Sequence, residues 1–233
     1  MAGAIAKLIL SKYDIGVFAY TKSIGDIVDD EDYRIDGFQK FTELREKSPV
    51  RALNLLKSKL MEQKIEEVKN QKDSIGGTIT CIVNNFPEGI GGPIFNSLEA
   101  NISKAIFSIP AIKGIEFGAG FQAAKMKGSE HNDPWTIKDG KIQTTKNDSG
   151  GIIGGISTGM PIEFSVAVKP TATIGIPQKT VNIETMKNTE IEITGRHDPC
   201  IVPRAIVVVE AMTAIVLLDF LLIEGVVPSV FNS

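Results

Sequence analysis

The chain has 233 residues, enough for one large domain or two small ones and for a sizeable core. Its 25 Lys and Arg against 28 Asp and Glu leave a net charge of −3. That balance excludes a global attraction to nucleic acid or to an anionic membrane, so any anion site must be built locally. Two cysteines, Cys81 and Cys200, argue against a disulfide framework and suit a reducing cytosol.

Residues 2–13 read as a helix with small and aliphatic residues on most sides. A basic leader is lacking, and Lys7, Lys12 and Tyr13 continue an amphipathic helix rather than a cleavage site. Residues 15–24 (IGVFAYTKSI) are β-branched and aromatic and predict a strand. The acidic stretch 26–36 reads as a solvated loop, and it lacks the glycine and terminal glutamate of a calcium loop. Ser48-Pro49 predicts a helix start, with Leu53, Leu56, Leu60, Ile65 and Val68 at helical spacing over 51–71. Asp73-Ser74-Ile75-Gly76-Gly77 opens a strand over 78–83, and the Gly and Pro of 85–92 predict a loop. Asn96 with Glu99 forms a capping-box pattern for a helix ending near Ser108, and 112–117 is a further strand.

Residues 127–149 are polar and read as a flexible loop holding His131 and Trp135. Strands at 161–168 and 190–194 then alternate with glycine-rich turns. Pro203 suits the first turn of a last helix reaching Ile223. Glu210 and Asp219 interrupt its apolar run, which favours a buried helix over a membrane span. Helices and strands interleave without a regular βαβ rhythm, repeat or linker, so the expectation is an α+β fold in a single domain, 1–233.

Three segments carry the chemistry. Residues 150–159 (GGIIGGISTG) supply backbone able to approach a ligand closely. They match neither GxxxxGK[ST] nor GxGxxG, and alone they read as a tight turn between two strands. Lys169-Pro170-Thr171-Ala172-Thr173 places a cation and two hydroxyls on a proline-stiffened segment. Following the glycine turn, and with Arg196 downstream, it makes a cradle for a phosphate or a phosphorylated cofactor. Gly195-Arg196-His197-Asp198-Pro199-Cys200 puts a polar cluster ahead of a helix start, a common place for an anion. The His197-x-x-Cys200 spacing has no second pair, so a structural zinc site is not expected. Cys200 reads as a small buried residue, and Asp198 as either a capping or salt-bridging residue or a functional carboxylate.

Six segments, in order along nearly the whole chain, resemble the chorismate synthase family. They are AGAIAKLIL, DSIGGTITCIV, PEGIGGPIFNSLEANISKAIFSIPAIKGIEFGAGF, GSEHNDPW, GGIIGGISTGMPIEFSVAVKPTATI and GRHDPCIVPRAIVVVEAMTAIVLLD. The resemblance implies a β-α-β sandwich assembled as a homotetramer in the cytoplasm. It further implies the anti-1,4-elimination of phosphate from 5-enolpyruvylshikimate 3-phosphate to give chorismate, the last step of the shikimate pathway. The cofactor implied is reduced FMN, used without net redox change, with NADP among the family's associated nucleotides; neither nucleic acid nor membrane is implied as a partner. By position, FMN contacts fall on Pro110, Ala111, Gly154, Lys169, Pro170, Thr171, Ala172, Thr173 and Arg196. Arg196 would also reach substrate, and Asp198 would assist proton movement at the flavin.

Family members begin with a GESHG-like motif, a second active-site histidine and substrate-binding arginines, which do not occur in this sequence. The expectation is therefore an N-terminally truncated, C-terminal part of the enzyme that makes no chorismate by itself. The alternative is a non-catalytic flavin-binding or assembly lobe needing a separate N-terminal partner.

Overall fold

The computed structural model describes residues 1–30, 38–138 and 140–228. In chain order the elements are α1 (Ala2–Ser11), β1 (Gly16–Ile24), β2 (Ile27–Val28), α2 (Phe38–Lys47), α3 (Leu55–Asn70), β3 (Gly77–Asn84), α4 (Leu98–Phe107), β4 (Ile112–Phe117), α5 (Gly128–His131), β5 (Trp135–Lys138), β6 (Lys141–Thr144), β7 (Ile152–Ile153), β8 (Ile156–Ser157), β9 (Ile162–Val168), β10 (Gln178–Asn182), β11 (Lys187–Ile191) and α6 (Val202–Ile223). This is the mixed α+β composition that the sequence predicts. The strands form a five-stranded sheet, ordered β2-β1-β3-β9-β4, and three two-stranded hairpins. Two compact units divide the chain: residues 1–20, 79–167 and 204 onward, and residues 21–78 with 168–203.

In the first unit, β9 alternates strictly: Ile162, Phe164 and Val166 are buried, with half-buried residues between them. Period-two burial of this kind fixes which face of the strand meets the core. α6 is apolar on nearly every side and fully buries Ile206, Val209, Ala214, Leu217 and Leu221. By length and composition it is the one helix among the described residues able to cross a membrane. Its Glu210 is buried, accepting the Lys7 ammonium at 2.6 Å and the Ala19 N–H at 2.8 Å. α1 and α6 approach closely at Gly3, where an added Cβ would lie 2.3 Å from Ala211 Cβ.

β7 and β8 make the tight turn expected of the glycine-rich segment, with Ile153 opposite Ile156. The two intervening residues, Gly154 (φ 61) and Gly155 (φ 88), both have positive φ, as a two-residue hairpin of matching twist requires. Residues 127–149 are not a simple loop: after the one-turn α5 they form the β5–β6 hairpin, from Trp135 opposite Thr144 to Lys138 opposite Lys141. The helix expected at Asn96 is capped instead by Ser97, whose Oγ accepts from Ala100 N at 3.1 Å, while Asn96 closes a short 3-10 turn.

In the second unit the helix expected from residue 51 begins at Leu55. Arg51 stands at φ 60, which no helix accommodates, and the Asn54 side chain accepts from Leu56 N and Lys57 N to set the true start. Ser48 is buried and its Oγ accepts from Ala52 N at 2.9 Å. The expected apolar stripe is not the packed face: Leu56 is 74% exposed, whereas Ser58 and Met61 are buried. The polar α2 precedes it, with Phe38, Phe41 and Leu44 at helical spacing in its sequence, and is not among the expected elements. Within the acidic stretch read as a solvated loop, Asp29 is fully buried and accepts the Asn54 N–H at 3.0 Å. Residues 31–36 of that stretch lie outside the described residues. The strand expected at 190–194 runs over 187–191 as β11, paired with β10.

The end of α3 bears directly on the site. Asp73 N donates to Val68 O at 3.0 Å and Lys72 N to Lys69 O at 2.9 Å, the paired bonds of a Schellman ending. Such endings favour glycine at the left-handed residue, yet that residue is Lys72, at φ 60. A side chain there costs about 1 kcal/mol against glycine.

Candidate functional site

Three sequence segments meet in the second unit: 73–77 (DSIGG), 169–173 (KPTAT) and 195–200 (GRHDPC). Ser74 Oγ donates to Thr171 O at 2.6 Å, and Ile75 N donates to Pro199 O at 2.8 Å. Thr171 Oγ1 closes the triangle by donating to Asp198 O at 3.1 Å. Gly76 lets the first segment pass this close. A Cβ on it would lie 2.4 Å from Val168 O and 3.1 Å from Pro170 Cδ.

The stitching leaves cations facing outward. Lys169 and Arg196 are exposed, and neither makes an ion pair among the described residues. A cleft of about 450 Å³ runs beside Arg196 and His197, with Lys69, Lys72, Asp73 and Gly175 also on its walls. His197 is half-buried, and its Nε2 donates to Ile193 O at 3.1 Å, since a carbonyl only accepts. Cys200 is buried as expected, and burial pushes its thiol up to about 11, so it is no nucleophile at neutral pH.

Of the residues expected to contact a flavin, Lys169, Pro170, Thr171, Ala172, Thr173 and Arg196 belong to this second unit, with Asp198. Pro110, Ala111 and Gly154 belong to the first. Ala111 holds a positive φ of 73, unusual for a residue with a Cβ. Gly154 sits at the tip of the β7–β8 turn, and nothing lies within 4 Å of where its Cβ would be.

Two supporting residues, Ser74 and Gly76, are visible in the sequence only as a strand opening. The adjacent glycines were the available sign of a close backbone approach. Nothing in the sequence pattern gives away Lys72, because its left-handed backbone follows from the helix ending and not from its own identity.

In this mixed α+β chain the tie joins segments that carry two exposed cations, Lys169 and Arg196. Residues 1–222 match the family model described as chorismate synthase, and the chain belongs to that family. It is 49% identical over 232 residues to the chorismate synthase of Dehalococcoides mccartyi, an alignment covering 100% of this chain and 63% of that protein. To the chorismate synthase of Korarchaeum cryptofilum it is 50% identical over 222 residues, 95% of this chain and 60% of that one. A crystal structure of chorismate synthase matches with a TM-score of 0.79 and 33% identity, over 96% of this chain and 62% of the other. This chain thus spans a little under two thirds of the length of these relatives.

Proposed function

We propose that the chain serves the elimination of phosphate from 5-enolpyruvylshikimate 3-phosphate that gives chorismate, with reduced FMN as cofactor. The observation that supports this most is the Ser74–Thr171–Asp198 tie, which joins the segments bearing Lys169 and Arg196, exposed cations without ion pairs among the described residues. A phosphorylated flavin suits those cations.

On this reading Lys169, Pro170, Thr171, Ala172, Thr173 and Arg196 hold FMN, joined by Pro110, Ala111 and Gly154. When bound, the reduced flavin supplies electrons to the elimination and is recovered without net redox change. Arg196 offers a planar fork of donors suited to a phosphate or carboxylate and reaches the substrate as well. The Thr171 side chain keeps its hydroxyl proton on Asp198 O, so toward a ligand it presents acceptor lone pairs and a methyl group. Asp198 handles the proton that leaves the ring as the phosphate departs.

Self-association into a tetramer in the cytoplasm completes the proposal. Support comes from exposed apolar side chains on the first unit, with Ile94 at 79% and Phe95 at 88%. A second reading, a flavin-holding lobe without turnover of its own, draws on the same exposed cations, which serve binding alone as well as catalysis. One experiment addresses both: titrate the purified chain with FMN and assay it for chorismate. Binding with turnover supports the enzyme, binding without turnover supports the lobe, and no binding overturns both.

A further inference from the structure

We propose that Lys72 is a phosphate-binding residue of the cleft beside Arg196, recruited from the end of α3. The inference rests on the reading of this site as one for phosphorylated ligands, and it adds a residue which that reading does not contain.

Three observations point the same way. Lys72 occupies the left-handed position of a Schellman ending, at φ 60, where glycine carries no strain. Residues held in sparsely populated backbone regions cluster at functional sites. The Lys72 side chain is also given room. Gly175 lies against its stem, where an added Cβ would come 3.1 Å from Lys72 Cβ and 3.4 Å from Lys72 Cδ, and Gly175 N donates to Lys72 O at 2.9 Å. Finally, the charge is uncommitted: Lys72 is exposed and makes no ion pair among the described residues.

Its neighbours differ in this respect. Lys69, on the same cleft, is held by Glu66 at 3.0 Å. Of the two acids on the walls, Asp73 already accepts from Ser74 N at 2.7 Å, and Glu192 is exposed. Lys72 and Arg196 are therefore the pair of cations available to one incoming anion. A point-like ammonium and a planar guanidinium on one cleft suit a phosphate monoester dianion, which offers oxygens on more than one side. The dianion belongs either to the flavin or to the substrate.

The test uses this chain with FMN, riboflavin and 5-enolpyruvylshikimate 3-phosphate as probes. Lys72→Asn removes the cation while keeping a residue that tolerates the left-handed backbone. The expected result is a loss of about tenfold or more in affinity for at least one phosphorylated probe. Riboflavin binding should be unchanged and the thermal midpoint no lower. Loss on FMN alone assigns the flavin phosphate; loss on the shikimate ester alone assigns the substrate's. Lys72→Arg should retain binding. If Arg196→Ala weakens a phosphorylated probe and Lys72→Asn weakens none, the proposal is overturned and the site reading stands. If neither substitution matters, or the unaltered chain binds no phosphorylated probe, both are overturned. Equal losses on riboflavin and FMN would assign Lys72 a structural role and overturn the proposal.

Discussion

The hydroxyl of Thr171 donates to the main-chain carbonyl of Asp198 across 3.1 Å. Asp198 is therefore anchored through an atom that survives any substitution of its side chain. Asp198→Asn should leave the neighbouring cations in place, so FMN titration should give near-native affinity. Turnover of the active enzyme should fall by about 10²–10⁴-fold, the usual scale of a lost acid–base group. Unchanged turnover would return Asp198 to a capping role before α6.

Gly76→Ala tests the tie itself. The new Cβ would sit 2.4 Å from Val168 O, backbone that cannot swing aside as a side chain would. The expected outcome is a lower thermal midpoint together with weaker FMN binding. Arg196→Ala and Lys169→Ala should instead weaken FMN binding at an unchanged midpoint.

Glu210→Ala would remove the carboxylate that accepts from Ala19 N and from the Lys7 ammonium. Losing hydrogen bonds to a buried charged group should cost about 1.5–3 kcal/mol, read as a lower urea midpoint at constant slope. Glu210→Gln keeps an acceptor for Ala19 N and should lose less.

Legibility in the sequence followed the strength of the local signal. β4 occupies the predicted residues 112–117, and β9 starts one residue after its prediction, its alternating apolar residues leaving one choice of buried face. The β10–β11 hairpin gave no such signal: every residue of β11 is exposed, so no apolar face marks it out. The start of α3 was misplaced because Ser48-Pro49 mimics a helix opening, while the positive φ of Arg51 has no sequence signature. At the site, the glycine turn and the basic segments were readable as types. Their meeting was not, since Ser74 and Thr171 are 97 residues apart and only the fold brings them together.

Acid should act through Asp133. Burial alone would raise its carboxyl, but hydrogen bonds from Ser149 Oγ, Ser149 N and Asp148 N, with Lys146 at 3.9 Å, outweigh it and hold it below the ordinary range. Near pH 4 and below, the unfolded chain then binds more protons than the folded one. The stability this carboxylate contributes is present above about pH 4 and lost as pH falls through the depressed folded value. Asp133→Asn should flatten the acid limb of stability against pH.

Alkali should act through the thiols. Burial pushes Cys81 up, with Glu210 adding to the effect, and pushes Cys200 up to about 11. Unfolded thiols ionise near pH 8.5, so their contribution to stability is intact below that value and is lost as pH rises beyond it. A thiol reagent at pH 8 should find neither cysteine in the native chain and both after denaturation.

The ion pair between Lys7 and Glu210 spans 203 residues of sequence. A ribosome adding about 5–20 residues per second takes on the order of 10–40 s to deliver the second partner after the first. Through that interval the apolar side of α1 and the Ala19 N–H have no α6 to meet. Newborn chains should then depend on holding chaperones to a degree the finished fold does not reveal. Separating the partners this far also slows spontaneous refolding, because closing so long a loop precedes any reward from the contact.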